Sequence, residues 1–168
     1  MTTLTELLLK EFDQEAATTR KMLAIVPEDK YDWKPHEKSM TIRRLVTHIA
    51  DLPSWVELGI HDDGLDFATT DHKEPEINNN KELLAFLEES LTSGRAALAG
   101  IKPEQYDEKW TLSNGGHVIA DMTRAEIIRI AYSQTTHHRA QLGVYLRLLN
   151  IPIPGSYGPS ADEMEAMK

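Results

Sequence analysis

Residues 123–150 read TRAEIIRIAYSQTTHHRAQLGVYLRLLN. Thr123, followed three residues later by Glu126, has the form of a capping box that opens a helix. At about 100° per residue, Ile127, Ala131, Gln134, His138, Gln141 and Tyr145 fall in one narrow sector, with Ile130 and Leu142 flanking it. Asn150 suits the C-terminal cap, and Pro152 and Pro154 forbid continuation. The pattern predicts a helix over Arg124–Leu149, apolar along one stripe but carrying three polar groups within it.

Three further segments share this period. Leu4, Leu8, Phe12, Thr19, Leu23 and Val26 predict a helix over about Thr3–Ile25, with Thr2 or Thr3 as its cap. Leu45, His48, Leu52 and Trp55 predict a second over Arg43–His61, opened by Thr41. Pro53 kinks it, and the apolar period continues on both sides. Leu84, Leu87, Leu91 and Leu98 predict a third over Lys81–Ala99, capped by Asn80. Residues 65–79 read as a polar loop. Residues 101–121 read as irregular, with a short hairpin at Asn114-Gly115. Residues 155–168 read as a Gly/Pro/Ser-rich and then acidic tail. Four long amphipathic segments without a convincing set of strands predict an all-α four-helix bundle, a single domain spanning residues 1–168. The long third connection is compatible with up-down connectivity or with a crossover.

Composition narrows the function classes. The net charge of −9 opposes binding to a phosphate backbone, and the densest basic cluster is only Arg43-Arg44, so no nucleic-acid partner is expected. No apolar run approaches the ~18 residues of a membrane span. The first ten residues lack a basic region followed by an apolar stretch, so no secretion signal is expected. The absence of cysteine excludes disulfides and Cys-based zinc sites and favours a cytoplasmic location. No glycine-rich phosphate loop, Gly-x-Ser-x-Gly elbow or His-Glu-x-x-His motif is present.

Seven histidines in a chain without cysteine make imidazole the main candidate ligand for any transition metal. His48 shares the inward sector of Leu45, Leu52 and Trp55. Polar groups that point inward from a bundle helix carry a desolvation cost unless they find partners. Facing helices in bundles build metal and ligand sites from such groups. Spacing alone also fits His48 as a core histidine satisfied by one hydrogen bond, and His137-His138 as a surface pair. His36, His61, His72 and His117 read as solvent-exposed. Trp33, Trp55 and Trp110 read as core or loop anchors, or as pocket walls.

Three stretches carry a resemblance. They are Trp33–Thr41 with Leu45–Ala50, the run His137–Arg147, and the tail Ile151–Glu163. Together, and in this order, they resemble the DinB family over nearly the whole chain. The resemblance implies a four-helix bundle of DinB/YfiT type with a long crossover, commonly a homodimer. It also implies a divalent metal, zinc or nickel, held by a histidine of the second helix and a His-x-x-x-His pair of the fourth. His48 and His138 match two of these positions. Gln134 stands where the first histidine of the pair is expected, and a neutral amide is a weaker ligand than imidazole. The site is then weakened, completed by His137, or empty. The family name refers to DNA-damage-inducible expression, not to DNA binding.

The resemblance implies a metal-dependent enzyme that transfers a low-molecular-weight thiol onto a small electrophile, with His48, Gln134 and His138 around the ion. Trp55 and Tyr145 share the inward sectors as pocket candidates. The alternative is a non-catalytic bundle that binds a small molecule or partner and has lost the metal. Catalytic groups beyond the metal ligands are not legible from the sequence.

Overall fold

Helix α1, Leu4–Ala24, begins where Thr3 accepts the Glu6 amide and the Glu6 carboxylate accepts the Thr3 amide. This reciprocal pair satisfies two of the donors that a helix start leaves without partners. The structure, a computed structural model, describes residues 1–70 and 75–168. The other helices are α2 (Ile42–Asp51), α3 (Ser54–His61), α4 (Asn80–Gly100), α5 (Arg124–Leu148) and α6 (Ala161–Ala166).

The expected second helix is divided in two. Pro53 has no N–H to donate to the preceding turn, so the ladder is interrupted between α2 and α3. Leu52 and Pro53 both keep right-handed helical backbone angles, so the path kinks without turning away. Helix α4 runs close under the kink. A Cβ on Gly94 would meet the Pro53 carbonyl oxygen at 2.1 Å, so only glycine fits there.

Helix α1 packs against α4 and α5, and the α2–α3 arm packs against the same two helices. Hence α1 lies across the bundle from the α2–α3 arm, and α4 lies across from α5. The segments 25–41 and 101–123 both cross the bundle, in keeping with a crossover rather than simple up-down connectivity. Leu8, Phe12, Leu23, Ile42, Leu45, Ile49, Leu83, Leu87, Leu98, Ile128 and Leu146 form the core between the helices. No described helix is long and apolar enough to cross a membrane.

Several expectations need correcting. The four-helix bundle is as expected, but the stretch expected to be irregular, 101–121, carries most of a small three-stranded sheet. Strand β1, Gly64–Asp66, pairs parallel with β2, Lys109–Asn114, and β2 pairs antiparallel with β3, His117–Thr123. The hairpin at Asn114 exists, and Gly115 and Gly116 have φ of 59° and 81°, the primed turn that matches strand twist. Asp66 pins it by accepting the amides of Ala68, Gly115 and Gly116, and these bonds hold its carboxyl below the usual range. Helix α4 is capped by Asn79, not Asn80; the Asn80 side chain instead accepts the Tyr31 hydroxyl and donates to the Val26 carbonyl. Ile130 is exposed rather than flanking a buried stripe. The tail carries α6, whose Ser160 and Glu163 form another capping box.

The fourth bundle helix ends as expected. Asn150 has φ 57°, and the amides of Asn150 and Ile151 return to the carbonyls of Arg147 and Leu146. At its start, buried Arg124 closes the end of α3. Its guanidinium donates to the carbonyls of Gly59 (3.1 Å), Ile60 (2.8 Å) and Asp62 (2.6 Å) and pairs with Asp63 and Glu108. One side chain thus joins α5, the end of α3 and the approach to β2, fixing how the α2–α3 arm lies against α5.

Candidate metal centre

Helices α2 and α5 bring His48 and His138 together. The rings meet edge to face, with centroids 4.7 Å apart and planes at 80°. His138 is buried and His48 half-buried. One turn onward on α5, the Gln141 Oε1 lies 2.7 Å from His138 Nδ1. A carbonyl oxygen only accepts, so with Gln141 in this orientation the neutral ring carries its proton on Nδ1 and keeps the lone pair on Nε2. Burial lowers the His138 pKa, helped by His137 and opposed by the Gln141 hydrogen bond. The ring is thereby biased towards the neutral form that ligates metals.

The remaining candidates divide by position. Gln134 is half-buried on α5, one turn before His138. His137 is exposed, its ring beside that of His138 with centroids 4.8 Å apart. His36, His61 and His117 are exposed as expected, and His72 lies outside the described residues. Among the described residues, no three His, Cys, Asp or Glu side chains gather closely enough to hold an ion. Of the expected ligands, the structure brings together the imidazoles of His48 and His138, and Gln134 lies one turn before His138 on the same helix.

The surroundings contain groups that sequence spacing alone did not single out. Buried Asp51 accepts the Trp55 indole N–H at 3.1 Å, across the Pro53 kink. The indole stands edge-on to His48, with centroids 5.9 Å apart. Its aspartate partner sits three residues after His48, and this i, i+3 spacing was the available signal. Tyr145, expected beside the site, packs against Trp33 with centroids 5.7 Å apart. Trp110 is wholly buried. Trp55 borders a cleft of about 630 Å³ between α3 and the β1 segment, lined also by Leu58, His61, Leu65 and Phe67. The histidine pair is not in the lining of this cleft. Trp55 belongs to both, lining the cleft and standing beside His48.

The DinB family pattern matches residues 1–168. The chain belongs to the DinB family. A DinB-like protein from Bacillus subtilis superposes with a TM-score of 0.69 at 20% identity, covering 89% of this chain and 97% of that one. YfiT from Bacillus subtilis, described as a probable metal-dependent hydrolase with an unusual four-helix bundle topology, gives 0.66 at 15% identity, covering 90% and 92%. The mycothiol-dependent maleylpyruvate isomerase gives 0.61 at 14% identity, covering 85% of this chain and 64% of that one. At these identities the likeness establishes the DinB/YfiT-like bundle and leaves the reaction open. No curated protein matches the chain.

Proposed function

We propose that this DinB-family protein is a metal-dependent enzyme that transfers a low-molecular-weight thiol onto a small electrophile. One observation carries the reading: imidazoles from two facing helices meet in the bundle, and one has its tautomer fixed by Gln141. His48 and His138 would hold a divalent ion, zinc or nickel, with Gln134 as a weaker third ligand. The ion, when bound, supplies Lewis acidity and favours the thiolate over the thiol. Gln141 orients His138, burial biases that ring towards the neutral form, and Asp51 holds Trp55 beside His48. In the reaction a sulfur–carbon bond forms, the thiol proton passes to solvent and the leaving group departs from the electrophile. The mycothiol-dependent isomerase of like fold supports a thiol as co-substrate, and YfiT supports a metal.

A second reading is a small-molecule-binding bundle without metal, and Gln134 is the residue that favours it. Metal analysis separates the two. Untagged protein, stripped with chelator and dialysed against zinc or nickel, is expected to retain one ion per chain. Folded protein that retains none after loading sinks the enzyme reading.

We also propose a homodimer. Ile130, Val144 and Leu148 leave apolar surface exposed along α5, and covering such a face with its copy is the commonest closed assembly. Sedimentation at micromolar concentration is expected to give twice the 19.0 kDa chain mass. A single species of that mass alone counts against the dimer.

A further inference from the structure

The cleft beside α3 shares Trp55 with the surroundings of the histidine pair. We propose that it binds the organic acceptor of the reaction, and that this acceptor is an uncharged or cationic aromatic compound. The proposal rests on the reading of the histidine pair as a metal centre only for the link between the two, not for the cleft itself.

Size is the first argument. At about 630 Å³ the cleft falls within the few hundred to roughly 1,000 Å³ typical of small-molecule sites. The second is the character of its walls. The Trp55 indole, Leu58, Leu65 and Phe67 supply apolar surface from α3 and from the β1 segment. Phe67 remains 53% exposed, which leaves an aromatic face in water until something stacks on it. Trp55 is not a loose flap, because buried Asp51 holds its N–H and the His48 ring abuts it. A flat ring laid against this indole is one side chain away from His48.

Charge supplies the third argument. The polar groups described around the cleft are the carboxylates of Glu57 and Asp62, the His61 imidazole, and hydroxyls. His61 Nδ1 lies 3.9 Å from a Glu57 carboxylate oxygen, so the imidazole stands beside an acceptor rather than alone. No described lysine or arginine lines the cleft. An anionic carboxylate or phosphate ester would meet like charge there, whereas an amine or hydroxyl would meet acceptors. The aromatic walls add to the attraction for a cation.

Three naphthalene probes of one shape test this: 1-naphthylmethylamine as the cation, 1-naphthalenemethanol as the neutral member and 1-naphthoate as the anion. Binding is followed by amide and indole chemical shifts on metal-stripped full-length protein, so that the result does not depend on the metal centre. The cation and the alcohol are expected to shift the Trp55 indole N–H and the amides of Leu58, Leu65 and Phe67. The anion is expected to bind about tenfold more weakly, the order of one screened charge interaction. Phe67→Ser should weaken the cation and the alcohol by roughly fivefold or more through lost stacking. Phe67 is exposed, so the folded state of that variant is checked by its unchanged helical circular dichroism. Equal binding of 1-naphthoate, shifts confined to another face, or an unchanged affinity in folded Phe67→Ser each overturns the proposal. Its link to the metal centre has a separate readout. With cobalt in place of zinc, the protons of bound 1-naphthylmethylamine should relax faster than in the zinc form. If the probe binds in the cleft but its relaxation is unchanged in cobalt-loaded protein, the acceptor role fails. If the chain takes up no cobalt while the shift pattern persists, the enzyme reading fails and the cleft stands as a binding site.

Discussion

Arg139→Ala is expected to lower the stability of the folded chain by about 3–5 kcal/mol, the cost of removing one partner from a buried ion pair. Arg139 is only 2% exposed, and its guanidinium lies 2.6 Å from the carboxylate of Glu15 on α1, itself 14% exposed. It also donates to the Thr19 hydroxyl at 3.1 Å and to the Tyr157 hydroxyl at 2.9 Å. The Tyr157 hydroxyl in turn donates to Glu15 Oε1 at 2.9 Å, so the tail, α1 and α5 are joined at one point. Alanine leaves the Glu15 carboxylate in a poorly hydrated place with its charge unanswered. Thermal denaturation is the measurement. For a chain of this size each kcal/mol moves the midpoint by ~2–4 °C, so the expected fall is roughly 6–20 °C. The double variant Glu15→Leu/Arg139→Met replaces both charges by apolar groups and should recover most of the loss. Tyr157→Phe removes one hydroxyl near the surface and should cost only about 1 kcal/mol. If Arg139→Ala melts like the parent, the pair contributes nothing beyond its solvated equivalent and this account of the α1–α5 contact is wrong.

This network is not announced by local sequence. Arg139 follows His138 and reads as a charged residue on the side of α5 away from the histidine stripe. What buries it is the arrival of Glu15 and Tyr157, both far away along the chain. Nothing local announces either meeting. The same holds for Arg124, which looks like an ordinary first-turn residue until the end of α3 is laid against it. The sheet was missed for a related reason. Strand β1 has three residues and pairs with β2 only through a parallel register set by the whole fold, such as Leu65 opposite Leu112. By contrast, capping is local chemistry. Thr123 with Glu126 states the start of α5 within four residues, and the structure has that box; at α1 the structure chooses Thr3 of the two candidate caps. The inward direction of His138 was legible because a 3.6-residue period places it with Ala131 and Leu142. Its bond to Gln141 was half legible: the stripe contained both, but which side-chain atoms meet depends on rotamers that spacing does not give. Pro53 predicts a kink, and the path does kink. That the same kink presents Asp51 to Trp55 depends on the angle between α2 and α3.

Gln134→His is expected to raise zinc or nickel affinity by at least roughly tenfold, the lower end of what even an outer-shell partner of a metal ligand contributes. The substitution puts an imidazole one helical turn before His138, in the position where the resemblance implies a third nitrogen ligand. Both groups are neutral, but imidazole nitrogen is the better donor to these ions than an amide oxygen. Competition titration against a chromophoric chelator reads the change directly. His48→Ala and His138→Ala should each abolish binding in the parent and in the Gln134→His background. His137→Ala should do little, because that side chain is exposed on the outer edge of the face. Gln141→Leu should weaken binding by about 10–100-fold, since it frees the His138 ring to turn and to change tautomer. Near-ultraviolet circular dichroism of the same samples controls for folding, as Trp33, Trp55 and Trp110 report on packing around both sides of the bundle. The pattern of losses distinguishes the candidate ligands. If His137→Ala removes the metal while His138→Ala spares it, the ligand is the outer histidine and Gln141 orients nothing. If affinity does not rise in Gln134→His while the other substitutions behave as expected, residue 134 is not directed at the ion. The site then rests on His48 and His138 with ligands from elsewhere, and the three-ligand pattern of the family does not extend to this chain.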